Sequence, residues 1–239
     1  MGNPYFKFKQ FTVFHDKCAM KVGSDGVLLG TWTDVTNAKK ILDIGTGSGL
    51  ISLMLAQRAD NAKIHAIDID ESAVFQAQGN INNSPWANRI TVEHKSLQNF
   101  ADSSNDLYDL VVSNPPFFNQ SLQAPEANRT QARHTVLLPH HDLILCSKKL
   151  LHPHGRAAII LPVMEGEKFV EIAENEGLFC ARKVVVFPKP NASAKRLLLE
   201  FSLIEKNVLE QSELVIESEI RHVYSKEFAL LVKEFYLNL

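Results

Sequence analysis

Asn114, Pro115, Pro116 and Phe117 follow an apolar segment of the chain, and their side chains together could hold a flat nitrogen compound. The amide of Asn114 offers a carbonyl acceptor and an N–H donor. Neither proline has an N–H that could compete for nearby carbonyl groups, and the pair biases Asn114 toward an extended backbone. Phe117 or Phe118 adds an apolar face for stacking. The combination favours a planar amine or amide, although Asn-Pro also begins ordinary turns.

A glycine-rich turn lies upstream, in the stretch ILDIGTGSGL (41–50). Asp43 precedes three alternating glycines, Gly45, Gly47 and Gly49, between an apolar strand pattern and a helical one. Such glycines allow a tight turn and a close approach of a ligand to the backbone. Asp68 follows at the end of the next strand pattern, where a carboxylate can accept the hydroxyl groups of a ribose. The spacing departs from the nicotinamide fingerprint GxGxxG, which disfavours a nicotinamide oxidoreductase. A tight turn that binds nothing is the alternative.

Alternating strand and helix patterns must position these residues. Helical patterns separate most of the apolar strand patterns, which predicts an α/β fold with a mostly parallel sheet and helices on both faces. Because the last two strand patterns have no clear helix between them, we expect a hairpin and one antiparallel strand at the sheet edge. The seven predicted strands are 39–45, 62–70, 89–94, 108–114, 155–162, 181–188 and 195–204.

The length of the chain predicts a single domain over residues 1–239. Residues 1–38 are expected to form a cap of one aromatic hairpin and one helix, and residues 39–239 the core. In that helix, Ser24 is a predicted N-cap, and Asp25 suits the first turn.

Composition excludes several classes of protein. The net charge is −2, so any nucleic-acid binding must come from local basic patches. Three scattered cysteines indicate neither a zinc site nor a disulfide framework, so we expect no metal and a reduced, cytoplasmic setting. The N-terminus does not resemble a signal peptide, and no apolar run is long enough to suggest a transmembrane helix.

The glycine turn resembles motif I of the class I S-adenosylmethionine-dependent methyltransferases, a family with a Rossmann-like fold. The resemblance implies S-adenosylmethionine as the cofactor. It places Asp43 near the methionine part, has the three glycines line the cofactor and has Asp68 hold the ribose. Near the adenine, where the family often has an acid, this chain has Ser96 and Leu97.

The tetrapeptide Asn-Pro-Pro-Phe resembles motif IV of methyltransferases that act on adenine N6, guanine N2 or a glutamine amide. By this resemblance Asn114, Pro115, Pro116 and Phe117 are catalytic. Asn114 and the Pro115 carbonyl would accept hydrogen bonds from the nucleophilic nitrogen, and Phe117 would stack on the substrate base.

Nearly the whole chain resembles the bacterial tRNA (adenine-N6)-methyltransferases that act on adenine 37 of a valine tRNA. The resemblance covers residues 8–32, the motifs above, 129–135 and 194–201. It implies a tRNA anticodon stem-loop as partner and an N-terminal helix that covers the cofactor. Lys21, before this helix, and Ser24 and Asp25, at its start, are the predicted cofactor-binding residues. The candidate RNA-binding residues are Arg129, Arg133, His134, Lys195 and Arg196.

Three other functions stay open from the residues. Ribosomal RNA guanine-N2 methyltransferases share motif IV but usually have a longer chain with a duplicated domain. Release-factor glutamine methyltransferases usually have Tyr after the prolines and a helical N-terminal domain. A non-catalytic RNA-binding module could keep the same fold, although an intact motif IV argues against it. The sequence does not indicate whether the protein is a monomer or an oligomer.

Overall fold

A central β-sheet and a small separate hairpin contain all strands of the described chain. The computed structural model describes residues 3–18, 21–116, 139–220 and 223–238. The strands, in chain order, are β1 (Tyr5–Lys7), β2 (Thr12–Phe14), β3 (Lys40–Ile44), β4 (Lys63–Asp68), β5 (Ile90–His94), β6 (Tyr108–Ser113), β7 (Leu151–Pro162), β8 (Phe179–Phe187), β9 (Arg196–Ser202) and β10 (Glu210–Val215).

Helices follow most of the central strands. Those of the described residues are α1 (Ser24–Trp32), α2 (Leu50–Arg58), α3 (Glu71–Asn82), α4 (Leu97–Ser103), α5 (His140–Leu150), α6 (Val163–Asn175) and α7 (Lys226–Val232).

The central sheet has eight strands in the order β10-β8-β9-β7-β6-β3-β4-β5. The five strands from β7 to β5 are parallel, and β9 runs antiparallel to both β7 and β8. The predicted α/β class and the β8–β9 hairpin are confirmed. The antiparallel strand, however, lies inside the sheet rather than at its edge, because an eighth strand, β10, pairs in parallel with β8. The sequence of β10, EQSELV, is mostly polar, and its first four residues are exposed. It therefore lacks the apolar pattern by which a strand is recognised.

Both faces of the sheet are covered by helices. Alternate side chains of a strand point to opposite faces. Ile41 accordingly packs in a cluster with apolar side chains of α1, α2, α3 and α7, while Leu42 packs in a second cluster with α4, α5 and α6. This arrangement brings the carboxyl ends of β3, β4, β5 and β6 to one open edge, where the loops leading to α2, α3 and α4 begin.

The N-terminal segment packs against the core through backbone and side-chain contacts. Asn80 of α3 bridges to β2, since its Oδ1 accepts the Phe14 N–H at 2.9 Å and its Nδ2 donates to the Phe14 carbonyl at 2.8 Å. The predicted N-cap of α1 is wrong. Gly23, with an extended backbone, occupies the cap position without a side-chain hydrogen bond, and Ser24 is the first helical residue. Asp25 lies in the first turn, as predicted.

Candidate active site

A pocket of about 250 Å³ opens at the carboxyl edge of the sheet. It lies where ligands bind in open parallel sheets, outside the ends of neighbouring strands. Residues from four strand ends and from the segment before α1 meet there. The lining residues are Cys18, Ile44, Gly45, Gly47, Ile67, Asp68, Ile69, Asp70, Ala73, Lys95, Ser96, Leu97, Gln98, Ser113, Asn114, Pro115 and Pro116.

The glycine turn forms one wall of this pocket. Gly45, Gly47 and Gly49 have φ angles of 70°, 56° and 80°, in the left-handed region that side chains other than glycine rarely adopt. A Cβ added at Gly45 or Gly47 would meet no atom within 4 Å, so the backbone there faces open space. At Gly49, the N-cap of α2, a Cβ would lie 3.3 Å from the Ala77 Cβ. The first two glycines therefore leave room for a ligand, and the third allows α2 and α3 to pack closely.

Asp43 lies beneath the turn, is completely buried and is not among the residues that line the pocket. Its Oδ2 accepts hydrogen bonds from Thr46 Oγ1 at 2.7 Å, Ser52 Oγ at 2.6 Å and the Ser52 N–H at 3.2 Å. Its Oδ1 is buried and has no hydrogen-bond partner among the described residues. Burial raises the pKa of Asp43 to about 6, against the lowering effect of the Ser52 and Thr46 hydrogen bonds. A buried carboxylate oxygen without a partner is costly, so a donor from a ligand would be favourable there.

Asp68 connects the end of β4 to the glycine turn. Its Oδ2 accepts the Gly47 N–H at 2.8 Å, and its Oδ1 accepts the Asp70 N–H at 2.9 Å. A carboxylate has about four acceptor positions. Each oxygen of Asp68 therefore retains a lone pair, and the side chain lines the pocket in an orientation fixed by two backbone groups.

Asn114, Pro115 and Pro116 line the pocket at the end of β6. Ser113, the last residue of the strand, is buried, and its Oγ donates to the Ile44 carbonyl at 2.9 Å, which fixes β6 beside β3. Asn114 Oδ1 is buried and has no partner among the described residues. The pocket wall thus contains an amide acceptor in a position where water is largely excluded. Phe117 lies outside the described residues.

Ser96 and Leu97 line the pocket at the start of α4. Ser96 is the N-cap of α4, and its Oγ accepts the Asn99 N–H at 3.2 Å. Leu97 is buried and presents an apolar side chain to both the pocket and the core.

Several pocket residues were not predicted from the sequence. Ile69 directly follows Asp68, and its side chain is 56% exposed, which leaves an apolar surface at the rim. Gln98 directly follows Leu97, and its Nε2 donates to Asp142 Oδ2 of α5 at 2.9 Å. Cys18 also lines the pocket, and burial together with nearby Asp68 raises the pKa of its thiol to about 11. The position next to a predicted binding residue is the signal that could have found Ile69 and Gln98.

The cofactor-binding residues predicted before and at the start of α1 do not line the pocket. Lys21 and Ser24 are exposed. Asp25 pairs with Arg196 of β9, and the distance from Arg196 Nε to Asp25 Oδ2 is 2.7 Å. A predicted cofactor residue and a predicted RNA residue are thus in contact with each other, and their predicted roles stay predictions.

Of the other candidate RNA-binding residues, only Lys195 is among the described residues. Lys195 is exposed and directly precedes β9. Arg129, Arg133 and His134 lie outside the described residues. The ranges that are described contain no group of three or more His, Cys, Asp or Glu side chains that could hold a metal. In the same ranges, no helix combines the length and the hydropathy needed to cross a membrane.

Comparison with solved structures identifies the fold. The chain matches a protein described as a predicted O-methyltransferase from Agrobacterium tumefaciens with a TM-score of 0.69 and 16% identity, over 88% of this chain and 96% of that one. It matches the CcbJ methyltransferase from Streptomyces caelestis with a TM-score of 0.55 and 13% identity, over 76% and 96%. The sheet order and the pocket position therefore define the class I S-adenosylmethionine-dependent methyltransferase fold.

Sequence comparison is more specific. Residues 13–161 match the family model "Methyltransferase small domain". Relatives named tRNA1(Val) (adenine(37)-N6)-methyltransferase share 51% identity in Parabacteroides distasonis and 48% in Trichodesmium erythraeum over all of both chains. One in Pectobacterium carotovorum shares 42%, over 97% of this chain and 93% of that one. The chain belongs to this family of tRNA methyltransferases.

The family implies S-adenosylmethionine as the cofactor, and the pocket fits this group. Asp43 does not line the pocket itself, but its Oδ1 beneath the glycine turn is a buried acceptor with no partner among the described residues, which suits a donor on the methionine part. Gly45 and Gly47 leave the space that a side chain would fill. Asp68 has free lone pairs for hydroxyl groups, and Ile69 and Leu97 offer apolar surfaces for a flat base.

Proposed function

We propose that this protein transfers a methyl group from S-adenosylmethionine to the exocyclic N6 of adenine 37 in the anticodon loop of a valine tRNA. The substrate follows from the names of relatives that match the full chain at 42–51% identity. The observation that supports the chemistry is Asn114 Oδ1, a buried acceptor in a residue of the pocket wall that has no partner among the described residues.

S-adenosylmethionine supplies an electrophilic methyl group. The protein is proposed to bind it through Asp43, the glycine turn and Asp68, with Ser96 and Leu97 near the adenine. Because the Gly47 and Asp70 N–H groups already hold the Asp68 carboxylate, this acceptor needs little rearrangement to bind a ligand.

Asn114 is the principal catalytic residue in this proposal. Its Oδ1 accepts one hydrogen of the substrate amino group, and the Pro115 carbonyl accepts the other. The two acceptors orient the nitrogen lone pair toward the methyl group and stabilise the positive charge that develops on the nitrogen. The nitrogen would take the methyl group as its bond to the cofactor sulfur breaks, which leaves S-adenosylhomocysteine. No strong base is needed, because the methylated nitrogen is cationic and acidic and would release one proton to solvent.

Pro115 and Pro116 keep these acceptors available. Pro115 is buried and Pro116 exposed, and neither has an N–H that could occupy Asn114 Oδ1. Phe117 is proposed to stack on the adenine after it leaves the loop. Bases of a loop are partly unstacked, so this step is less costly than in a duplex.

The tRNA is proposed to contact basic residues beside the pocket. Arg129, Arg133 and His134 follow the catalytic segment in sequence, and Lys195 is exposed. Arg196 is proposed to contact the tRNA as well, from the position in which its ion pair with Asp25 holds it. With a net charge of −2 over the chain, RNA binding through such a limited patch should weaken strongly with added salt.

The domain organisation proposed from the sequence, one domain over residues 1–239 with a cap over 1–38, is supported by the contacts of the hairpin. Phe14 pairs with Asn80 of α3, and the Lys9 N–H donates to the Phe235 carbonyl at 2.8 Å.

A cytoplasmic location is proposed because a tRNA anticodon loop is modified there.

The proposal is tested by incubating the protein with S-adenosylmethionine labelled in the methyl group and separate pools of unmodified tRNA, ribosomal RNA and release factor. Mass spectrometry of nucleosides and peptides then identifies the product. N6-methyladenosine in tRNA is expected. Label in ribosomal RNA guanine or in release factor would replace the substrate, and no label in any pool would reject the enzymatic function.

A further inference from the structure

Gln98 is a polar residue of the pocket that belongs to neither motif and has no role in the proposed methyl transfer. It lines the same wall as Ser96 and Leu97, at the start of α4. Its carboxamide has a donor end and an acceptor end, which can exchange places by rotation of the amide. Which end faces the pocket therefore decides what kind of group it can bind.

Asp142 determines the orientation of this amide. The Gln98 Nε2 donates to Asp142 Oδ2 at 2.9 Å, and both side chains are partly buried. An ionised carboxylate can only accept hydrogen bonds, so it requires the N–H₂ end of Gln98. Oε1 must then point away from Asp142. Asp142 belongs to α5 and does not line the pocket.

The neighbouring residues are less suited to select an amino group. Ser96 Oγ already accepts the Asn99 N–H as the cap of α4, and its hydroxyl can rotate to donate or accept. Leu97 has only an apolar side chain at this wall. Gln98 Oε1 is therefore the acceptor of this segment that cannot easily become a donor.

We propose that Gln98, oriented by Asp142, selects the cofactor by accepting a hydrogen bond from the 6-amino group of its adenine. Asp142 is a positioning residue in this arrangement, because it acts only through the Gln98 amide. The inference rests on the proposed function, since it assumes that the pocket binds an adenosyl cofactor.

The test compares binding of S-adenosylhomocysteine with that of S-inosylhomocysteine, which has a 6-oxo group in place of the 6-amino group. Calorimetry on the full chain measures both affinities. The wild type should prefer the adenosyl compound by about tenfold or more, because one hydrogen bond is lost and two acceptors then face each other. Gln98→Met, of similar size but without an acceptor, should reduce this preference to about twofold or less.

Asp142→Asn tests the positioning role. An asparagine can donate to Gln98, so the Gln98 amide can turn its N–H₂ end toward the pocket and the preference should fall. Asp102→Asn is the matched control. It removes the charge from a different polar contact between α4 and α5, the Asp102–Lys149 pair at 3.0 Å, and should leave the preference at the wild-type ratio.

The outcomes separate this inference from the proposed function. Wild-type protein that binds neither compound would contradict the proposed function itself. Binding of both with an unchanged ratio in Gln98→Met would overturn the role of Gln98. A loss of preference in Gln98→Met but not in Asp142→Asn would overturn the positioning role of Asp142.

Discussion

The carboxylate of Asp68 accepts the backbone N–H of Gly47 at 2.8 Å, so the end of β4 holds the glycine turn that follows β3. The second carboxylate oxygen is held by the Asp70 N–H. One acidic side chain thus connects two neighbouring loops of the pocket and still has lone pairs available for a ligand.

Replacement of Asp68 should weaken cofactor binding. Asp68→Ala removes the charged acceptor for the ribose hydroxyls as well as the support of Gly47. We expect the affinity for S-adenosylhomocysteine, measured by calorimetry, to fall by about tenfold or more, as for hydrogen bonds to a charged group. Asp60→Ala, at an exposed position just before β4, is the control and should bind normally. Unchanged affinity in Asp68→Ala would show that the ribose assignment is wrong.

Asn114 should affect turnover rather than binding. Asn114→Ala is expected to reduce methyl transfer by about a hundredfold or more, as when a positioned catalytic hydrogen-bonding group is removed. The affinity for S-adenosylhomocysteine should stay close to that of the wild type. Asn99→Ala, on the exposed surface of α4, is the control. Turnover equal to that of the wild type would contradict the catalytic role.

Two glycines with different backbones should respond oppositely to alanine. Gly47 has a φ of 56°, so Gly47→Ala introduces strain of about 1–2 kcal/mol and places a methyl group in the pocket. Gly79 lies within α3, and a Cβ there meets nothing within 4 Å. Gly79→Ala should therefore stabilise the fold by about 0.5–1 kcal/mol.

Denaturant unfolding and calorimetry measure both effects. Gly47→Ala should unfold at lower denaturant and bind S-adenosylhomocysteine more weakly, whereas Gly79→Ala should unfold at higher denaturant and bind normally. If the two variants unfolded at the same denaturant concentration and bound S-adenosylhomocysteine equally well, the left-handed backbone of Gly47 would not have the importance given to it.

Asp43 should make the stability of the ligand-free protein depend on pH. Its pKa is raised from 3.8 to about 6 in the folded state, so the folded protein binds the proton more tightly than the unfolded chain. Protonation of Asp43 therefore stabilises the folded state, by roughly 3 kcal/mol. This contribution is complete below pH 3.8, the pKa of Asp43 in the unfolded chain, and is lost as the pH rises through about 6.

Asp43→Asn isolates this effect. The free energy of unfolding of the wild type minus that of the variant should decrease as the pH is raised from about 4 to about 6, and stay level above that range. A difference that is constant across this window would contradict the raised pKa.

Much of the fold could be predicted from the sequence because its strands are apolar and its turns contain glycine. The βα units from β3 to β6 and the β8–β9 hairpin follow directly from these patterns. The strand β10 could not be predicted, since only Leu214 of its six residues is buried. Its backbone pairing with β8 then places β9 inside the sheet.

Part of the candidate site could likewise be predicted from the sequence, and part could not. Asp43, Asp68 and Asn114 stand at strand ends in the sequence, and parallel strands bring such ends together. Gln98 and Asp142 are 44 residues apart, and only the packing of α4 on α5 makes them neighbours. The cap of α1 was mispredicted because Ser24 is a strong cap former by type, whereas the extended residue before the helix is Gly23.

The most direct test of the central claim is methyl transfer to a synthetic valine tRNA transcript, compared with the same transcript carrying guanine at position 37. Nucleoside mass spectrometry with fragment mapping locates the product. We predict N6-methyladenosine at position 37 of the first transcript and no methylation of the second. Equal methylation of both transcripts, or none of the first by a protein that binds S-adenosylhomocysteine, would contradict it.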